Sequence, residues 1–346
     1  MNSLESRVLS NFTISPNLLE YTERISEYRG KQVFYEQMLP GVLDTLLSHS
    51  VIESTESSNR LEGIVVTSRR FDSIMSDKAK PQSRSEAEIV GYRDVLRTIH
   101  ERHDTIPIRP DTVLQLHHHL TAYVGSGQGG RWKTDENVLE ESNVGCRPTP
   151  AWQTPEAIDR LCTAFYAHQD SGQVPDVILI GTFVLDFLCI HPFQNGNGRM
   201  ARLLTLLLLY QSGYLVGKYI SIEGVVQDTR NLYYDTLYRS SLGWNEGEND
   251  LEPWTEYFLA VIARSYDLFE NKVGDLKGNQ ERGWKQKRVR DVVESFMVDF
   301  TIADVEERCP GIGRPMISKI LHDMRKEGTT ERIEHGRRPK WVVVRK

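Results

Sequence analysis

The sequence predicts a mainly α fold: a helical core followed by a smaller module of helices and two strands. Three observations carry this. Apolar residues recur at helical spacing through much of the first 269 positions, two apolar segments at 177–190 and 203–210 are dense enough to centre a core, and the composition changes after a polar, glycine-containing stretch at 270–284. With 346 residues, 39% of them hydrophobic, the chain has room for two or three domains. The expected order is an N-terminal helical region at 1–110, a core at 111–269, a linker at 270–284 and a C-terminal domain at 285–346.

Taken in order, helical patterning covers 17–50 with a break at Pro40-Gly41, and a further helix over 42–61 stops at Gly63. Residues 84–104 form an amphipathic helix with Ile89, Tyr92, Val95, Leu96 and Ile99 as its buried stripe and nothing catalytic evident. Pro107 and Pro110 break the pattern, and the next helix starts at about Asp111, read as its N-cap. Thr154 caps the following helix, with Pro155 at the tolerated first position. The apolar 177–190 segment must end at His191, because Pro192 disfavours helical geometry there. A helix from about Asn197 then runs through Leu203, Leu206, Leu207 and Tyr210 to Ser212-Gly213. Residues 230–242 are amphipathic, and Pro253 opens a last core helix to about Phe269.

Several function classes fall away. The start MNSLESRVLSNF lacks a basic stretch followed by an apolar one, so no secretory signal is expected. The apolar runs are too short to cross a bilayer, and the first contains Asp186, so the expectation is a soluble, cytoplasmic protein with no membrane partner. Cysteines 146, 162, 189 and 309 show neither CxxC pairing nor metal-ligand spacing and read as reduced, buried thiols. His117, His118 and His119 point in different directions on a helix and lack a spaced carboxylate or cysteine, which argues against a metal. The glycine-rich 125–132 stretch lacks the Gly-Lys-Ser/Thr ending of a phosphate loop.

The chemistry concentrates at 191–202, HPFQNGNGRMAR. A helix start offers unpaired N–H groups and partial positive charge, and Gly196 and Gly198 let backbone approach a ligand, which together describe an anion site. Arg199 and Arg202 share a face, yet cations in a first helical turn oppose the macrodipole, a conflict that a bound polyphosphate removes. His191 stands at the other lip of the turn, placed to take a proton.

This stretch resembles the signature of the Fic family, His-Pro-Phe followed by Gly-Asn-Gly-Arg and a second Arg, and departs from it at Asn195, where the family has Asp or Glu. The resemblance implies a helical core with a short β-hairpin flap and a protein adenylyltransferase that moves AMP from ATP to a hydroxyl of a target protein. It implies His191 as general base, Gly196, Asn197 and Gly198 as cradle for the α-phosphate, Arg199 and Arg202 on the other phosphates, and Tyr233, beside Tyr234, flanking the adenine. Asn195 offers Mg2+ only a neutral amide oxygen, so the metal would be held mainly by the phosphates and activity would be weak. SNRLEG at 58–63 fits the family's inhibitory helix, with Ser58, Glu62 and Gly63 in place and Glu62 paired to Arg202. Arg131 is read as the arginine that enters the flap, which spans 133–149 with its hairpin around 140–145 and holds the target by strand-like pairing. Two other readings are a nucleotide-responsive DNA-binding regulator with a weak or inactive core that binds nucleotide without turnover, and removal of AMP with Glu62 positioning water.

From 285 onward 15 Lys+Arg face 10 Asp+Glu, a net +5 against −6 for the whole chain, which points to an anionic partner. Helices at 286–296, 302–308 and 315–327, then strands at 331–334 and 340–344 around His335-Gly336-Arg337-Arg338-Pro339, resemble a winged helix-turn-helix domain. The resemblance makes Arg314, Lys319, Arg325, Arg337 and Arg338 contacts to duplex DNA. The alternative is docking to another protein or another copy of the chain.

Overall fold

The computed structural model describes the chain except for residues 1–2, 6, 39, 126, 128, 136–143, 279–283, 297–298, 310–311, 334–339 and 345–346. It is mainly helical. In chain order the α-helices are α1 (Arg7–Ser10), α2 (Pro16–Met38), α3 (Pro40–Leu61), α4 (Ser68–Met75), α5 (Arg84–Arg102), α6 (Pro110–Thr121), α7 (Thr154–Ser171), α8 (Asp176–Ile190), α9 (Asn197–Gln211), α10 (Ile222–Asp228) and α11 (Arg230–Ser241). α12 (Glu252–Gly278), α13 (Trp284–Glu294), α14 (Ile302–Arg308) and α15 (Arg314–Lys326) follow, then strands β1 (Thr330–Ile333) and β2 (Lys340–Val343).

Two compact units form. The larger comprises 1–32 and 43–270, the smaller 33–42 and 271–346. In the larger unit α8 is the central rod: every residue from Val177 to Ile190 is buried, as expected of a helix that is apolar on all sides. It packs between α7 and α9, while α5 packs on α6 and α9. Asp186, inside the apolar body of α8, is fully buried and accepts hydrogen bonds from the Ser3 N–H (2.9 Å), the Leu4 N–H (3.2 Å) and the Trp244 indole (2.7 Å). That carboxylate draws the first described residues of the chain onto the core helix.

In the smaller unit α13, α14 and α15 enclose an apolar centre that includes Val289, Phe300, Ile317, Leu321 and Trp341. β1 and β2 pair antiparallel with Thr330 opposite Val343 and Ile333 opposite Lys340, and Phe300 bridges to Trp341 beside them.

Several sequence expectations change. α6 begins at Pro110 with Arg109 as N-cap rather than at Asp111, because proline fits the first helical turn, where its missing N–H is no loss. Thr154 likewise lies inside α7, its hydroxyl bonded to the Pro150 carbonyl, and Gln153 is the cap. α12 continues to Gly278, through much of the stretch read as a linker, since Phe269 and Val273 extend its apolar stripe by one turn. α4 was not anticipated; its Phe71, Ile74 and Met75 bury against Ile89 and Val90 of α5. The expected flap hairpin falls mostly on 136–143, and Arg337 and Arg338 on 334–339, outside the described residues.

Candidate functional site

The site is the turn between α8 and α9. His191 caps α8 in the left-handed region (φ 50°), where Pro192 forces the chain out of the helix; a non-glycine residue there stores of order 1–3 kcal/mol of strain. Gly196 caps α9 at φ 83°, a conformation that favours glycine. Asn197, the first residue of α9, closes the turn with its amide, accepting from the Phe193 N–H (2.9 Å) and donating to the Phe193 carbonyl (2.7 Å). The side chain of Asn197 therefore shapes the loop, and what the residue offers a ligand is its backbone N–H at the helix start.

Glu62, just past the end of α3, reaches into this turn. Its Oε1 accepts from Arg202 Nη2 at 2.7 Å, and the same guanidinium bonds the Ser58 hydroxyl (2.8 Å) and the Ser58 carbonyl (2.9 Å). A Cβ placed on Gly198 would lie 2.2 Å from Glu62 Oε1, so the carboxylate rests directly on the first turn of α9, where only glycine leaves it room. Burial alone would raise the pKa of Glu62, but the charge and hydrogen bond of Arg202 outweigh it and hold the carboxyl below its usual range. Gly63, at φ 73°, ends α3 as the sequence predicts.

The two arginines differ. Arg202 has Glu62 and Ser58 as partners, whereas Arg199 is 4% exposed and its Nε and Nη1 make no hydrogen bond. Its charge partner is Glu88 of α5, at 3.5 Å from Nη1, an ion pair without hydrogen-bond geometry. Burial pushes the Arg199 pKa below its ordinary value, with Glu88 and Glu62 offsetting only part of the cost. A buried cation with idle donors beside a helix N-terminus is a site for an anion.

His191 is pushed down to about 4, first by burial and then by the nearby Lys133 ammonium, with the Leu188 backbone and Glu62 pulling the other way. It is neutral at pH 7. Lys133 is itself buried, and it fastens this end of the loop: its N–H donates to the Pro192 carbonyl (2.9 Å) and its Nζ to the Ile190 carbonyl (3.1 Å). Arg131, the residue expected to enter the flap, is exposed; two residues on, Lys133 is the cation turned inward.

Ser58, Glu62, His191, Gly196, Asn197, Gly198, Arg199 and Arg202 thus meet in one place. Tyr233 is 5% exposed and packs edge-on against Trp254, Tyr257 and Tyr234, so its surroundings are those of a core aromatic. Tyr234 is partly open and reaches the Leu61 carbonyl at 3.5 Å. Asn195 is exposed. Sequence reasoning missed Lys133, Glu88 and His117, the last of which turns inward against the loop. The only signal in the sequence was the excess of charged residues on the supposedly simple helix at 84–102, where Glu86, Glu88 and Arg93 are buried.

A helical core that presents a helix N-terminus, two arginines and a neutral histidine around one turn defines an anion-binding site. Residues 107–209 match the model of the Fic/DOC family. The "Protein adenylyltransferase Fic" of Nematostella vectensis is 23% identical over 286 residues, covering 78% of this chain and 61% of that protein. Among solved structures, a Fic family protein from Desulfovibrio desulfuricans G20 superposes with a TM-score of 0.61 at 17% identity, covering 97% of this chain and 98% of that one. A Fic domain containing signaling protein from Bacteroides thetaiotaomicron VPI-5482 gives 0.62 at 20% identity, covering 74% and 98%. The chain carries a Fic/DOC family domain over 107–209, and it spans less than two thirds of the length of the curated relatives it matches first.

Proposed function

We propose that this chain is a protein adenylyltransferase that carries AMP from ATP to a side-chain hydroxyl of a target protein and is restrained by its own Glu62. The observation that carries the reading is the carboxylate of Glu62 seated on Gly198 and bonded to Arg202. An anion site that holds an internal anion is an anion site closed against its ligand.

In the forward reaction His191 takes the proton of the acceptor hydroxyl as its oxygen bonds the α-phosphorus of ATP. The bond from that phosphorus to the bridging oxygen breaks, and pyrophosphate leaves. The N–H groups opening α9 face the α-phosphate, and Arg199 and Arg202 balance the charge that builds on the leaving group. The adjacent residues fit Mg2+ poorly: Asn195 is neutral, and the carboxylates of Glu62 and Glu88 already face arginines. Among the described residues no group of three or more His, Cys, Asp or Glu is arranged to hold a metal. The ion would be held through the phosphates of ATP. A backbone segment of the target pairs along 133–149.

Glu62→Gly, incubated with ATP labelled on the α-phosphate and a cell lysate, should raise protein labelling by about tenfold or more, since about 1.4 kcal/mol of restored phosphate binding is enough for that. Equal labelling by the unaltered chain would refute the restraint. A second reading is removal of AMP from a modified protein, with Glu62 positioning the attacking water. Under it the Glu62→Gly variant loses AMP release from a labelled target.

The C-terminal unit reads as a winged helix that contacts duplex DNA. Arg314, Lys319 and Arg325 are exposed on α15, while Ile317, Ile320, Leu321 and Met324 turn its other face to the core. Replacing the three cations with alanine in the full chain should weaken binding of a duplex and flatten its dependence on salt, by up to about one unit of slope per lost phosphate contact. Absence of duplex binding by the unaltered chain at low salt would favour docking to protein instead.

A further inference from the structure

The loop at 191–196 is braced from outside by one side chain of α6. The ring of His117 lies flat on Phe193, with centroids 3.7 Å apart and planes inclined by 11°. Its Nε2 is 3.1 Å from the Asn195 carbonyl, and its Nδ1 is 3.2 Å from the Gly130 N–H. One tautomer serves both contacts: the proton sits on Nε2 and is donated to Asn195, while the lone pair of Nδ1 accepts from Gly130. The residue is buried, and burial lowers its pKa to about 4, which agrees with a neutral ring. His118 and His119, its neighbours in the run, are exposed.

The ring therefore joins three segments that are distant in sequence. One is α6. The second is the glycine-rich stretch that leads from Gly130 to Lys133, whose own bonds hold the Ile190 and Pro192 carbonyls. The third is the loop, gripped at the peptide that precedes Gly196, the left-handed residue from which α9 starts. A Cβ on Gly196 would come within 3.9 Å of His117 Nε2, so the ring sits directly under that turn.

We propose that His117 is a positioning residue, which through the Asn195 carbonyl and the face of Phe193 sets the direction of the N–H groups that open α9 toward a bound phosphate. The inference rests on the anion-binding reading of the site. It assigns the neutral ring a geometric role: a displacement of the loop by about 1 Å is enough to cost a group-transfer site about a hundredfold.

The test uses the full chain in a Glu62→Gly background. His117→Phe keeps a flat ring on Phe193 and loses both hydrogen bonds; His117→Gln restores a donor and an acceptor without the ring. Three quantities are read on each protein: amide hydrogen exchange across 191–199 without ligand, ATP affinity by calorimetry, and AMP transfer with kcat and KM separated. His117→Phe should exchange about tenfold faster in this segment and bind ATP about tenfold more weakly, with partial recovery in His117→Gln. If His117→Phe fails to fold, His117→Asn, whose shorter side chain reaches one partner at most, takes its place with the same expected losses. A folded variant with unchanged exchange and unchanged ATP affinity overturns the proposal. If Glu62→Gly itself transfers no AMP, the transferase reading fails, and the brace is still judged on exchange and ATP affinity; if it binds no ATP either, exchange alone decides.

Discussion

His191→Ala, made in a Glu62→Gly background, is expected to lower AMP transfer by roughly 10²- to 10⁴-fold while leaving ATP affinity nearly unchanged, because a general base acts on the acceptor hydroxyl and not on the nucleotide. The pH dependence sharpens this. With a pKa of about 4, the His191 ring stays in its proton-accepting form well below neutrality. Transfer should hold level from pH 7 down to about 5 and fall only as the pH approaches 4, whereas a histidine at its ordinary value of about 6.5 would lose half its base form already at about pH 6.5 and nearly all of it by about pH 5. Glu62 raises the His191 pKa, so its removal moves the acid limb further down. Initial rates of labelling against pH for the unaltered chain and for Glu62→Gly measure the acid limb and its shift, and Glu62→Gly with and without His191→Ala measures the base role. Retained transfer by the alanine variant, or an acid limb centred near pH 6.5, would remove this histidine from the base role.

How the site could be read before the structure follows from where its parts lie in the chain. His191, Gly196, Asn197, Gly198, Arg199 and Arg202 fall within twelve consecutive residues between two apolar helices, so the proline, the glycines and the helical spacing expose them together. Ser58 and Glu62 were found through a short pattern ending at Gly63, because a carboxylate at a helix C-terminus requires a cation and the pattern's resemblance pointed to Arg202. Glu88, His117 and Lys133 obey no such local rule. Glu88 looked like one charge among several on an amphipathic helix, and only the packing of α5 on α9 gives it Arg199. His117 is one of three adjacent histidines, and sequence cannot say which of them turns inward until the loop it touches is in place. The same limit explains the shifted helix starts at Pro110 and Thr154: several adjacent residues suit a first turn, and packing selects among them.

The largest effect on stability is expected at Asp186, whose sequence position marks it only as a charge inside an apolar run. It is the acceptor for two backbone N–H groups near the start of the chain and for the Trp244 indole, all buried. Burial raises its pKa, and these three donors work against that rise. Asp186→Ala removes every acceptor at once and strands three donors inside the protein. Each buried donor without a partner costs about 1–3 kcal/mol, and local rearrangement of the stranded groups toward water returns part of the loss. The expected destabilisation is about 3–5 kcal/mol, read from urea unfolding of the transition that belongs to the larger unit. Asp186→Asn keeps one carbonyl oxygen of nearly the same reach, so it should lose clearly less, about half. Hydrogen exchange should then show the 3–12 segment released in the alanine variant and only loosened in the asparagine one. If the two variants unfold at the same urea concentration as the unaltered chain, the carboxylate is not what ties the first residues to α8, and the packing of Leu4 and Leu9 must hold them instead.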